Sequence, residues 1–204
     1  MNLSTLNPQQ RQAAETLRGP VLILAGAGSG KTRALTYRLA NLIDHGVSPW
    51  SILALTFTNK AAKEMRERVS ALIGNQGEKA WISTFHSSCA KILRRDCEKL
   101  GYSRSFAIYD DDDTNQVIKE LLKQLNVDDK LLPPRELKSK LSDMKNRLLG
   151  PDDWFKESPK DRRCQMIHDI MVAYEKRLKA QNAMDFDDLL VKTLELFAEH
   201  PPVL

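Results

Sequence analysis

The hydrophobic positions along the chain fall into two regimes. In the first half, three short apolar runs stand out: Val21-Leu22-Ile23-Leu24, Ile52-Leu53-Ala54-Leu55-Thr56-Phe57 and Ala80-Trp81-Ile82-Ser83. Continuous runs of this length predict strands buried on both faces, as in a parallel sheet. Each run is followed by apolar residues at helical spacing. These are Leu35, Leu39, Leu42 and Ile43, then Ala61, Met65, Val69 and Leu72, then Cys89, Ile92, Leu93 and Leu100. Strand–helix alternation with short turns predicts an α/β fold with right-handed crossovers. Phe106-Ala107-Ile108 predicts one further short strand.

The second half reads as helices. Their apolar stripes are Val117, Ile118, Leu121, Leu122 and Leu125; Leu137, Leu141, Met144 and Leu148; Ile167, Met171, Tyr174 and Leu178; and Leu189, Leu190, Leu194 and Phe197. No strand of comparable quality interrupts them. Pro133-Pro134, Gly150-Pro151 and Ser158-Pro159 punctuate the series. The run Asp110 to Asp113 reads as capping for the first of these helices, where the dipole favours negative charge. A divalent-metal reading of that run is weaker, because oxygen cages draw ligands from a turning loop or from several elements.

Composition adds limits. A chain of 204 residues, 42% hydrophobic and 28% charged, is an ordinary soluble globular protein, not a disordered, collagenous or disulfide-built one. Its length allows one domain, or one with a second folded into it. The net charge of +4 is mild, but it is unevenly placed. Residues 1–108 hold 15 Lys/Arg against 7 Asp/Glu, and residues 109–204 hold 16 against 20. Such asymmetry points to an anionic partner for the first half. Cys89, Cys97 and Cys164 form no CxxC pair and fit reduced thiols. The polar start MNLSTLNPQQRQ is no targeting signal, and no apolar run approaches the ~20 residues that span a bilayer, so a cytoplasmic protein is expected.

The chemistry concentrates in Ala25-Gly26-Ala27-Gly28-Ser29-Gly30-Lys31-Thr32, between a predicted strand and a predicted helix. That is the context of a phosphate-binding loop. Glycines permit a tight turn that aims N–H groups at phosphate oxygens, and the following helix adds its positive end. Lys31 would reach the outer phosphates, and the Thr32 hydroxyl would hold magnesium. Ala25 stands where the usual pattern has Gly. A glycine-rich turn without function would leave Lys31 exposed at a helix start to no purpose. The loop alone names no reaction.

Further segments resemble the N-terminal part of superfamily 1 DNA helicases of the UvrD/Rep/PcrA group. Leu6-Asn7-Pro8-Gln9-Gln10-Arg11-Gln12-Ala13 resembles that family's Q motif, which puts adenine recognition on Gln10, and the loop from Ala25 through Thr32, with Arg33 after it, resembles the family's nucleotide site. Leu55-Thr56-Phe57-Thr58-Asn59-Lys60-Ala61-Ala62 resembles motif Ia, and Ile82-Ser83-Thr84-Phe85-His86-Ser87 resembles motif Ib. Both follow predicted strands, where open α/β sheets place ligands. The resemblance implies single-stranded DNA contacts from Phe57, Thr58, Asn59, Lys60, Thr84 and His86, with Lys63, Arg66 and Arg68 adding charge. These residue types suit a nucleic-acid surface, with an aromatic face for a base, and hydroxyl, amide and imidazole groups for phosphate or sugar. Taken singly, Phe57 reads as core, His86 as a structural histidine and Gln10 as a polar helix-start residue.

The resemblance implies a P-loop RecA-like parallel sheet with helices on both faces, formed incompletely by residues 1–108 and 185–204. It also implies an all-helical insertion over 109–184, with Asp185 and Asp187 as return-point and capping residues. The implied cofactors are ATP and Mg2+, and the implied partner is single-stranded and partly duplex DNA. The implied activity is ATP-driven unwinding with 3′ to 5′ movement. The family's DExx carboxylates, second RecA-like domain and arginine finger match nothing in these residues, so the 204 residues by themselves are expected to bind nucleotide weakly and to hydrolyse it negligibly. Two other readings stay open: a P-loop phosphotransferase acting on a small molecule, and a non-enzymatic DNA-binding module.

Overall fold

The computed structural model describes all 204 residues, Met1–Leu204, as two compact units, Met1–Phe85 and His86–Leu204. The first unit contains α1 (Pro8–Glu15), α2 (Lys31–Asp44), a 3-10 turn (Pro49–Ser51), β1 (Leu53–Thr56), α3 (Asn59–Ile73), α4 (Asn75–Glu78) and β2 (Trp81–Thr84). Asn7 and Pro8 start α1: the Asn7 side chain accepts from the Gln10 N–H at 2.8 Å, and Gln10 Oε1 accepts from the Asn7 N–H at 3.2 Å. Side chains of α2 satisfy carbonyls near the end of α1, with Arg38 donating to Ala13 at 2.9 Å and Asn41 to Ala14 at 3.1 Å. β1 and β2 pair in parallel, in register from Leu53 with Trp81 to Thr56 with Thr84. Leu39, Ile43, Met65, Val69 and Ile82 form the core beside them.

One predicted strand is corrected. Val21-Leu22-Ile23-Leu24 belongs to no sheet, and Leu22 and Leu24 are 82% and 86% exposed. An apolar run becomes a strand only when a neighbouring backbone supplies the ladder, and no segment of this chain pairs with residues 21–24. The expected single sheet with helices on both faces is therefore replaced by two separate two-stranded parallel sheets in a mixed α/β structure. For the same reason β1 is not buried on both faces, and Leu53 is exposed.

The second unit contains α5 (Phe85–Asp96, whose first residue closes the first unit), a 3-10 turn (Cys97–Leu100), β3 (Ala107–Tyr109), α6 (Asp111–Gln124), α7 (Pro134–Asn146), α8 (Pro151–Glu157), α9 (Arg162–Ala180), β4 (Ala183–Asp185) and α10 (Phe186–Glu199). The helices fall where their stripes predict, except that Leu125 and Leu148 lie past the ends of α6 and α7, and that they and Leu194 of α10 are exposed. β4 was not expected, because three residues carry no periodicity. It pairs in parallel with β3, Ala107 with Ala183 and Tyr109 with Asp185. The compact units divide between Phe85 and His86, whereas the sequence boundaries fell at 108/109 and 184/185. The reason is a shared core: Leu93, Cys97 and Phe106 pack with Met184, Leu189 and Leu196.

The acidic runs cap helices. Asp110 accepts from the Asp112 and Asp113 N–H groups at the start of α6, and Asp185 forms a capping box with Asp188 at the start of α10. Asp185 and Asp188 also face a buried cation. Lys145 of α7 is 3% exposed and lies 2.7 Å from Asp185 Oδ2, 2.8 Å from Asp188 Oδ1 and 3.1 Å from Glu175 Oε1. The Tyr174 hydroxyl donates to Asp185 Oδ2 at 2.9 Å. Burial opposes the Lys145 charge, but the surrounding carboxylates hold it above its ordinary range. One cation cannot neutralise three carboxylates. Burial, with Asp185 and Glu175 nearby, pushes Asp188 up to about 7, while Lys145 holds Asp185 below the usual range against the effect of its own burial.

This hub is open to two tests. Lys145→Met leaves three carboxylates without their cation and is expected to cost about 3–5 kcal/mol in urea unfolding near neutral pH. Folded Asp188 keeps its proton where the unfolded chain has lost it, so its contribution to stability falls as pH rises from about 4 to about 7. Asp188→Asn is expected to remove that decline, and an unchanged slope of stability against pH would contradict the assignment.

Candidate nucleotide and nucleic-acid site

The loop from Ala25 to Thr32 closes on itself. Gly28 and Gly30 adopt left-handed backbone, with φ of 75° and 82°. Ser29 turns back on the Gly26 carbonyl through its N–H at 3.4 Å and its hydroxyl at 2.7 Å. The Lys31 ammonium donates to the Ala25 and Gly26 carbonyls at 2.9 and 2.7 Å. The helix α2 then begins on Gly30 with no side-chain cap. Its first-turn N–H groups, at Lys31, Thr32 and Arg33, have no carbonyl one turn back to accept them. An uncapped helix start behind a glycine turn, with an ammonium at the loop, fits an anionic phosphate chain.

Around the loop, Gln10 acts as a bridge. Its Nε2 donates to the Ser29 carbonyl at 2.9 Å while its Oε1 serves the α1 cap. A Cβ on Gly30 would lie 2.5 Å from that Nε2. Thus Gly30 is required by its left-handed φ, a Cβ there would also push the Gln10 amide off the Ser29 carbonyl, and Gln10 has a structural role that its sequence position did not reveal. Thr32 sits exposed in the first turn of α2, and its carbonyl accepts from the Thr36 hydroxyl at 2.7 Å. Arg33 is exposed and donates to the Thr5 carbonyl at 3.0 Å. Four of the five acids of this unit are engaged elsewhere: Glu15 with Arg11, Asp44 with the amino terminus, Glu64 with Arg68 and Glu67 with Lys63.

The second group of expected site residues follows from strand register. Because Thr56 pairs with Thr84, the next residues, Phe57 and Phe85, emerge side by side. Their ring centroids are 5.7 Å apart and tilted by 43°. Phe57 is 90% exposed and is no core residue. Phe85 is also exposed and was not singled out from the sequence, although it follows β2 as Phe57 follows β1. Thr58 is the N-cap of α3, its hydroxyl accepting from the Ala61 N–H at 3.1 Å. Asn59 and Lys60 stand exposed on the first turn. Thr84 is buried. The basic residues near motif Ia divide by role. Arg66 donates to the Ile82 carbonyl at 2.6 Å and ties α3 to β2, Arg68 pairs with Glu64 at 3.3 Å, and Lys63 lies 3.9 Å from Glu67. In the second unit, His86 meets Phe186 edge-on at 5.8 Å, and Phe186 is half-exposed.

The family profile described as "UvrD/REP helicase N-terminal domain" matches residues 6–204. The chain belongs to this family. It is 48% identical over 203 residues to the ATP-dependent DNA helicase PcrA of Staphylococcus aureus (strain Mu50 / ATCC 700699), and 47% identical to that of Staphylococcus epidermidis (strain ATCC 12228 / FDA PCI 1200). Each match covers 99% of this chain and 28% of the relative, so the chain spans about a quarter of the length of these helicases. The family match runs through both compact units and includes the loop and both aromatic-ended strands. No helix is long and apolar enough to cross a membrane.

Two glycines of this family's loop should behave differently. Gly30→Ala meets both a left-handed φ and the Gln10 amide, and is expected to lower stability by roughly 1–3 kcal/mol. Gly26→Ala meets nothing within 4 Å and is expected to change stability by no more than about 0.5 kcal/mol. Urea unfolding of the two variants checks the contrast.

Proposed function

We propose that this chain is the N-terminal part of an ATP-dependent DNA helicase, and that it contributes the phosphate grip of the ATP site and part of the single-stranded DNA site. The observation that carries the reading is the uncapped start of α2 behind the glycine turn, with Lys31 at its mouth. Family membership and the PcrA relatives support it. In this reading residues 109–184 are a helical insertion in a RecA-like domain, with the β3–β4 pair at its root.

Phosphates take the place of the two carbonyls that Lys31 now holds, and the loop N–H groups and α2 dipole bind their charge. Arg33 and Gln10 complete the nucleotide site. Thr32 is the residue here that would hold magnesium, whose chemistry is to neutralise charge on the terminal phosphates. The loop's polar contacts are with carbonyls and Gln10, and no carboxylate among them would position a water, so hydrolysis by these residues alone is negligible.

Phe57 and Phe85 offer base-stacking faces, and Asn59 and Lys60 contact the strand's phosphates or sugars; within the second unit, His86 is a DNA-contacting residue in its own right. Thr58 and Thr84 support this surface, one as a cap and the other from beneath. Movement in the 3′ to 5′ direction, driven by ATP, belongs to the whole protein. A small-molecule phosphotransferase has no use for the exposed Phe57–Phe85 pair.

Binding measurements on the 204-residue chain test both halves of the proposal. Lys31→Ala is expected to abolish Mg-ATP binding. Phe57→Ala is expected to weaken single-stranded DNA binding by ~1–3 kcal/mol, roughly 5- to 150-fold. Affinity for DNA should fall with salt at a log–log slope of ~0.7 per phosphate contact. Equal DNA affinity for Phe57→Ala and the parent chain would remove Phe57 from the site. A DNA-stimulated ATPase of this chain, lost on Lys31→Ala, would overturn the statement about hydrolysis.

A further inference from the structure

In the second unit, the first turn of α10 carries more bracing than a helix cap needs. Asp185 and Asp188 divide their carboxylate oxygens between two tasks. Asp185 Oδ1 accepts from the Asp188 N–H at 2.8 Å, and Asp188 Oδ2 accepts from the Asp185 N–H at 3.1 Å. The remaining oxygens, Asp185 Oδ2 and Asp188 Oδ1, face the buried Lys145 ammonium at 2.7 and 2.8 Å. The Asp110–Asp113 box that starts α6 is exposed, so capping by itself calls for no buried lysine. What the extra bracing holds is Phe186, the first residue of α10, which follows Asp185 directly. Its half-exposed ring lies edge-on to the partly buried His86, with centroids 5.8 Å apart and planes at 74°. His86 stands in the first turn of α5, and α5 and α10 share one core through Leu93, Leu189 and Leu196. A continuous path thus runs from Lys145 on α7, through the capping box and the Phe186 ring, to the imidazole.

We propose that Lys145 is a positioning residue for nucleic-acid binding, holding the first turn of α10 so that Phe186 sets the His86 ring for its contact with DNA. The proposal rests on the reading of His86 given above. Lys145 is 3% exposed and ringed by Asp185, Asp188 and Glu175, so it touches no nucleic acid itself. Without it, the two box carboxylates lose the cation they share, and the turn that carries Phe186 loses its anchor on α7. Position and charge predict opposite signs for Asp185→Asn. That change removes a negative charge near the site, which by charge alone would tighten DNA binding. It also breaks the ion pair with Lys145, which by position weakens DNA binding.

The test measures dissociation constants for a labelled single-stranded oligothymidine on the 204-residue chain, with the His86 ring-proton resonances as a second readout. Asp185→Asn keeps a good capping residue and is expected to fold. It and Lys145→Met are each expected to weaken DNA binding about 2- to 10-fold, the range of one lost hydrogen bond, and to move the His86 resonances. Lys145→Arg keeps the cation, so its loss should be smaller. Adding Asp185→Asn to His86→Ala should cost nothing more. Unchanged or tighter DNA binding by Asp185→Asn, additive losses in the double variant, or unmoved His86 resonances would each overturn the proposal. If Lys145→Met does not fold, Asp185→Asn alone decides. His86→Ala separates the two levels. If it binds DNA as tightly as the parent chain, the reading of His86 fails and the proposal with it; if it binds more weakly while Asp185→Asn binds as the parent does, only the positioning role fails. A parent chain that binds no oligothymidine refutes both.

Discussion

The first unit is organised around the open start of α2. A 14-residue helix begins on a glycine, with no side chain capping its N–H groups. Those groups must meet solvent, a loop or an anion, and an end left uncapped is a local cost that folding alone does not reward. The surroundings are built to keep it open and shaped. Gly30 supplies the left-handed residue, Gln10 holds the Ser29 carbonyl, and Lys31 closes the loop on Ala25 and Gly26. The same α1 whose Gln10 braces the loop is tied to α2 through Arg38 and Asn41. Shape and charge thus come from one arrangement: the glycine turn exposes N–H groups and the ammonium gathers beside them.

The aromatic surface depends on a second, independent constraint. Parallel register brings the carboxyl ends of β1 and β2 together, and both strands are followed by Phe. Arg66 reinforces the register by tying α3 to the Ile82 carbonyl. The positive charge of that segment is mostly engaged within the fold, on Ile82, Glu64 and Glu67, which leaves Lys60 as the cation with no such tie. In the second unit Lys145 does the joining, bringing carboxylates of α9, β4 and α10 to one ammonium on α7.

Much of this was legible in the chain. Helical periodicity located the long helices because each buries one apolar stripe, and Pro8, Pro134 and Pro151 marked first turns. The acidic residues at 110 and 185 were correctly read as caps. What escaped were features set by partners distant in sequence. Val21–Leu24 has a strand's composition but no backbone to pair with. β4 is too short to carry a pattern and exists because β3 lies beside it. Phe85 became visible only through register, and the bridge from Gln10 to Ser29 joins residues nineteen apart. Charge was misleading in detail, since a count of Lys and Arg does not say which of them the fold already uses.

The central claim is that the loop and the first turn of α2 form one anion site. Backbone amide NMR of the 204-residue chain titrated with Mg-ATP tests it most directly. Shifts are expected to concentrate on residues 26–33 and the Gln10 side-chain amide, and to be lost in Lys31→Ala. Shifts absent from residues 26–33, or unchanged in Lys31→Ala, would contradict it.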